Sequence, residues 1–194
     1  MKKNSIVLLA TLSMIGVAEA NAQMKFAFSK GFAANAVVSD FTVAGKNETG
    51  FGASLSNSDK LEISKHIALQ TEFHLHYSAS QNVKYWGLEV PIYVVGHRKM
   101  GSGKGFGGAG SYADYGLQAK NWAIGGAVIA GYEFANGFFV NISYKRRFFD
   151  WAPAHAANAA MKLQAASIGV GYRFTLFEDI RSIFRFLPRA LSPY

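Results

Sequence analysis

The sequence predicts an all-β fold: an eight-stranded antiparallel up-and-down transmembrane β-barrel with a short C-terminal amphipathic helix. Three observations carry this. Segments of about ten residues alternate apolar with small or polar side chains, and helical periodicity is absent until the C-terminal end. An export leader precedes them. In several segments the apolar face begins and ends on an aromatic side chain.

The leader is Lys2 and Lys3, an apolar run over residues 6–17 and the small-residue pattern Ala20-Asn21-Ala22. Its run is shorter than the ~20 apolar residues of a membrane-spanning helix, so cleavage after Ala22 is expected, leaving Gln23 first in the mature chain. The domain reading is a signal peptide over 1–22, a barrel over 23–174 and a helical tail over 175–194. The rest of the chain holds no second apolar run long enough to be a membrane helix, so a membrane-spanning protein here must be a barrel. Cysteine is absent from the 194 residues, which argues against a small disulfide-stapled secreted domain. Twenty Lys and Arg against twelve Asp and Glu give a formal charge of +8. The basic residues are scattered, apart from Lys145-Arg146-Arg147 and the arginines of the tail. Such scatter does not suit nucleic acid; lipid headgroups and lipopolysaccharide phosphates suit it better.

Strands are expected at 25–38, 50–63, 67–80, 84–97, 105–118, 122–134, 137–148 and 161–174. The connections 64–66 and 135–137 are tight, while 39–49 and 149–160 read as long outer loops, the asymmetry of a barrel with one short-turn end. The segment 98–104, RKMGSGK, reads as a middling turn at the short-turn end. Its run GSGKGFGG lacks the spacing of a phosphate-binding loop, because Arg98 stands where the first glycine is needed and Gly105 follows Lys104.

Face assignment separates a membrane barrel from a soluble one. In the sixth segment Trp122, Ile124, Val128, Ala130, Tyr132 and Phe134 share one face, against Ala123, Gly125, Ala127, Gly131 and Glu133 on the other. The aromatics sort into two levels. Tyr77, Trp86, Tyr115, Trp122 and Phe148 fall near one rim; Phe26, Phe134, Phe138, Tyr172 and Phe174 fall near the other. Two aromatic girdles around an aliphatic band are what the two interfaces of a bilayer select. The poorest fit is the second segment, where Asn57 and Asp59 interrupt the apolar face, together with Lys30 on the lipid face of the first. A bulge or a different register is expected there.

An eight-stranded lumen is filled by side chains rather than water. Glu72, Glu89, Glu133, Lys145, Arg147 and Arg173 are predicted to face inward and to pair, since buried charges need partners. His74 and His76 point the same way, but two histidines without a third ligand in view are a weak metal signal. No cofactor and no metal are expected, and no nucleophile has a base and an access route, so an enzyme is not expected.

The runs IALQTEFHLHYSA, YWGLEVPIYVV, GGAGSYADYGL, GYEFANGFFVNISYKRRF and SIGVGYRF resemble, over residues 67–174, the Bacteroidota outer-membrane barrels known as the porin family or PorT-like proteins. The matching positions are Glu72 with Tyr77-Ser78, Glu89-Val90-Pro91, Gly110-Ser111-Tyr112 and Gly131-Tyr132-Glu133. The resemblance implies location and fold more than activity, with a secretion-machine role as one possibility. Gly169, Tyr172 and Phe174 look like the terminal signal read by the barrel-assembly machinery.

The tail departs from that pattern. Phe177, Ile180, Phe184 and Leu187 recur at helical spacing, Thr175 can cap the start, and Arg181 and Arg185 lie farther along before Pro188. The expectation is an amphipathic helix on the periplasmic side that contacts lipid or a periplasmic protein partner. Overall the sequence points to the outer membrane of a Gram-negative bacterium and to a structural or interaction role in the cell envelope. An accessory subunit of a secretion machine and a narrow small-solute channel are the alternatives.

Overall fold

The computed structural model of the chain describes residues 27–43, 46–118, 120–151 and 161–177. The leader, Phe26 and the tail positions Ile180, Arg181, Phe184, Arg185 and Leu187 lie outside the described residues. Eight strands follow in order: β1 (Ala27–Val43), β2 (Lys46–Glu62), β3 (Ile67–Ala79), β4 (Lys84–Met100), β5 (Gly103–Gly116), β6 (Asn121–Glu133), β7 (Phe138–Trp151) and β8 (Met161–Phe177). Each pairs antiparallel with the next, and β1 pairs with β8, closing the barrel. Strands of 13 to 17 residues exceed the ~9–11 needed to cross a bilayer at a tilt.

The alternation becomes an inside and an outside. Along β1, Ala33, Asn35, Val37 and Ser39 are buried in the lumen while Phe32 and Val38 are exposed. Along β4, Tyr85, Glu89, Tyr93, Val95 and His97 are buried and Trp86, Val90, Ile92 and Val94 are exposed. The outer surface is therefore aliphatic, with Leu55 at 67% and Ile168 at 62% exposed, while charged groups such as Lys60, Glu89 and Asp114 are 2% exposed.

We call the end carrying the β2–β3, β4–β5 and β6–β7 connections the turn end, and the opposite end the loop end. Several expected details change. Residues 39–49 are not a long loop: Ser39 pairs with Gly50, Asp40 with Thr49 and so on to Val43 with Lys46, so β1 and β2 run on as a hydrogen-bonded ribbon. The backbone groups of a projecting segment need partners, and a ribbon supplies them internally. Segment 98–104 is mostly strand, with Met100 opposite Gly103 around a tight turn in which Gly101 takes a φ of 60°, a conformation glycine adopts without penalty. Strand β2 keeps continuous register with β1, with neither bulge nor shift. Lys30 and Asp59 lie directly opposite on the outer face and form an ion pair at 3.4 Å, which explains two polar residues on one apolar surface. The register shifts fall elsewhere, at the two ends of the β1–β8 seam and between Ile124 and Gly125 on the β6–β7 seam.

The barrel does not end at Phe174. Strand β8 continues to Phe177, with Thr175 opposite Ser29 and Phe177 opposite Phe28. Thr175 is thus a strand residue and not a helix cap, and Phe177 belongs to the sheet, because unpaired β1 backbone at the closing seam is satisfied by extending its partner.

Candidate functional site

The lumen concentrates the ionisable side chains. It is built in three levels. At the loop end Phe41, Val83 and Tyr85 form an apolar cluster, with the Phe41 and Tyr85 rings 5.6 Å apart. His76 stacks on Tyr85 at 5.3 Å, and the Tyr85 hydroxyl donates to Asp114 Oδ2 at 2.9 Å. Glu48 ties the β3–β4 connection to β2 by accepting from Ser80 Oγ at 2.6 Å and Asn82 Nδ2 at 2.8 Å. This end is closed.

At mid-depth the Lys145 ammonium of β7 reaches across to Glu89 of β4 in a buried ion pair. Glu72 is held on both oxygens: Gln70 Nε2 donates to one at 2.7 Å, and His74 Nε2 lies 2.6 Å from the other. Asn35 Nδ2 donates to Ser54 Oγ at 3.1 Å. The cavity among Ser54, His74, His76, Glu89 and Lys145 is about 20 Å³, room for roughly one water. The opposite wall is apolar, from Tyr93, Val95, Phe106, Tyr112, Ala127 and Ile129. Gly125 makes this packing possible, since a Cβ there would sit 2.6 Å from the Tyr112 ring.

Toward the turn end Arg173 of β8 donates to Glu133 Oε2 of β6 at 2.6 Å and to Gln70 Oε1 of β3 at 3.2 Å, and its guanidinium lies 4.9 Å from the Phe139 ring centroid. Lys60 stands 3.6 Å from both Glu133 and Glu62, and Glu62 also receives Lys104 at 3.4 Å. The links Glu72–Gln70–Arg173–Glu133–Lys60–Glu62–Lys104 run unbroken from mid-lumen to the turn-end mouth.

The structure therefore brings together Glu89 with Lys145 and Glu133 with Arg173, and joins Glu72 to Arg173 through Gln70. Arg147 is half-buried near the loop end, beside the register shift at Ile124 and Gly125. Sequence reasoning missed Lys60, Gln70 and Asp114. The inward run Ser54, Ser56, Ser58, Lys60 on β2 is the sequence signal for the first. The histidines part company: His74 goes to Glu72, while His76, Glu89 and Asp114 bring one ligand atom each within 4.8 Å of one another. Lys145 on Glu89 and Tyr85 on Asp114 already answer those carboxylates.

On the outer surface Tyr77 and Trp86 pack at 4.8 Å, as do Tyr115 and Trp122, all toward the loop end. At the turn end Phe134 and Phe138 lie 6.2 Å apart, and Phe174 stacks 6.4 Å from Phe32, with Tyr172 exposed nearby. Gly169 faces the lumen, beside Asn35 and Asn141.

No protein family's profile matches the chain, and no curated protein matches it in sequence. Among solved structures it is similar to Neisserial surface protein A, NspA, at a TM-score of 0.55 and 12% identity, over 76% of this chain and 97% of that one. The barrel matches outer-membrane barrels in fold. Weaker likenesses are to Ail of Yersinia pestis, at a TM-score of 0.47 and 16% identity over 78% and 100% of the two chains, and to OprG of Pseudomonas aeruginosa, at 0.43 and 13% over 78% and 97%.

Proposed function

We propose that this chain is an exported protein of the Gram-negative outer membrane, a plugged barrel with a structural or interaction role in the envelope. The observation that carries the reading is the inverted surface. Charged groups such as Glu89 and Lys145 are inside, and exposed aliphatics such as Leu55, Val128 and Ile168 are outside, between aromatics at both ends. A soluble barrel has the opposite polarity. In this reading the turn end faces the periplasm, Tyr77, Trp86, Tyr115 and Trp122 sit at the outer interface, and Phe134, Phe138, Tyr172 and Phe174 sit at the inner one. Lipid and lipopolysaccharide surround the barrel, and Gly169, Tyr172 and Phe174 serve the assembly machinery. The narrow interior favours neither conduction nor catalysis, and the buried carboxylates serve as pairing partners. The test is heat-modifiability of the detergent-extracted protein in electrophoresis, with membrane fractionation. A band that shifts on boiling and sediments with outer membranes is expected; mature protein in the soluble periplasm overturns the reading.

A PorT-like accessory role is the second reading. It rests on the motif resemblance over residues 67–174, whose Glu72, Glu89, Tyr112 and Glu133 turn inward. Partner docking would fall to residues 178–194, beyond the last strand. Deleting them should release a co-purifying periplasmic protein while the barrel still shifts on heating; an intact complex removes this reading.

A further inference from the structure

We propose that the vestibule at the turn end is a binding site for a phosphate-bearing anion, either a soluble phosphoester or the headgroup phosphate of a membrane lipid. Among the described residues Phe41 and Tyr85 pack the loop end of the lumen and the mid-depth gap is about 20 Å³, whereas the turn end opens into a wide cavity. There a cavity of about 610 Å³, the size of a small-molecule site, is lined by Lys65, His97, Lys99, Lys104 and Arg173, with Glu62 and Glu133 as its carboxylates.

Those carboxylates are already engaged by Lys60, Lys104 and Arg173. Among the described residues Lys65 and Lys99 make no ion pair, so the mouth keeps a surplus of positive charge. The donors beneath it are also underused. Lys60 is 2% exposed, yet at 3.6 Å its ion pairs are too long for direct hydrogen bonds. Arg173 is 4% exposed, and its Nε–H is buried without a hydrogen-bond partner. A buried donor left unmatched is costly, and Arg173 also lines the cavity. Guanidinium and ammonium groups converging on one cavity suit phosphate, whose several oxygens accept charge-assisted bonds at once.

The experiment is calorimetric titration of inorganic pyrophosphate into the full-length barrel in maltoside detergent, paired with native mass spectrometry after extraction from membranes containing phosphatidylglycerol and phosphatidylcholine. The double variant Lys99→Gln with Lys104→Gln is compared with Lys84→Gln, which removes a charge at the loop end. Saturable one-to-one pyrophosphate binding, weakened about tenfold or more in the double variant and unchanged in Lys84→Gln, establishes a soluble phosphate ligand. No pyrophosphate binding, but one retained phosphatidylglycerol that the double variant loses, assigns the site to a lipid headgroup. Neither result, or equal binding in both variants, overturns the proposal. Each variant is checked for its heat-induced shift. The site requires the closed barrel and not the membrane reading, so a barrel that shifts and binds neither probe refutes this proposal alone.

Discussion

Lys145 and Glu89 lie 56 residues apart and on strands that are not neighbours in the sheet, yet they meet in a buried ion pair that ties β7 to β4 across the lumen. A closed sheet holds neighbouring strands through its ladder; this pair and Arg173 with Gln70 and Glu133 hold opposite walls.

Breaking such a pair costs more than deleting it. Lys145→Met leaves the Glu89 carboxylate buried without its ammonium and should lower stability by about 3–5 kcal/mol, whereas Lys145→Met with Glu89→Leu should recover most of that loss. Urea unfolding of the detergent-solubilised barrel reads the cycle. A double variant as unstable as the single one would refute the cross-lumen pairing.

Strand two's register makes a milder prediction. Lys30 and Asp59 are each about a third exposed on the outer surface, with side chains at 34% and 38%, so replacing both by Leu should change stability by no more than about 1 kcal/mol. A large loss would mean that the pair is packed against something other than lipid.

Gly125 tests the packing of the apolar wall. Gly125→Ala drives a methyl group toward the Tyr112 ring and the Arg146 carbonyl, and backbone cannot yield as a flexible side chain can. A loss of about 1–3 kcal/mol in unfolding free energy is expected. Gly107→Ala, where the nearest atom is 3.8 Å away, should be tolerated in the same assay.

The ribbon at the loop end carries the pH dependence. Hydrogen bonds from Gln164, and then from Thr49 at 2.8 Å, hold the Asp40 carboxyl below the ordinary carboxylate range. Asp40 stands four residues beyond Ala36, whose register runs through Ala53 to Tyr77, and so lies outside the aromatic level. Because its folded pKa is depressed, the stabilisation is complete above the unfolded value of about 3.9 and is lost as pH falls through the folded value. Protection of the Thr49 and Gln164 amides against exchange, taken relative to the intrinsic rate at each pH, should therefore fall below about pH 4, and Asp40→Asn should abolish that dependence.

A plugged lumen should not conduct. In planar bilayers the wild-type protein is expected to give no steady conductance, since one water-sized gap cannot pass a hydrated ion. Steady channels would show that the side chains of the network move aside.

The eight strands, their faces and the inward placing of Glu72, Glu89, Glu133, Lys145 and Arg173 were legible in the sequence, because side chains of a strand alternate strictly and a one-residue slip would invert every one of them. Five things were not legible, for one physical reason. Nothing local told that Asp59 would be answered by Lys30, that Gln70 would bridge Glu72 to Arg173, or that Lys60 would stand between Glu62 and Glu133. Nor did local pattern show that residues 39–43 pair with 46–50, or that Thr175 to Phe177 extend β8. Alternation states which way a residue points; which residue it meets depends on strand register and on closure of the barrel. Those are set by backbone pairing over the whole sheet, and only the tertiary structure decides them.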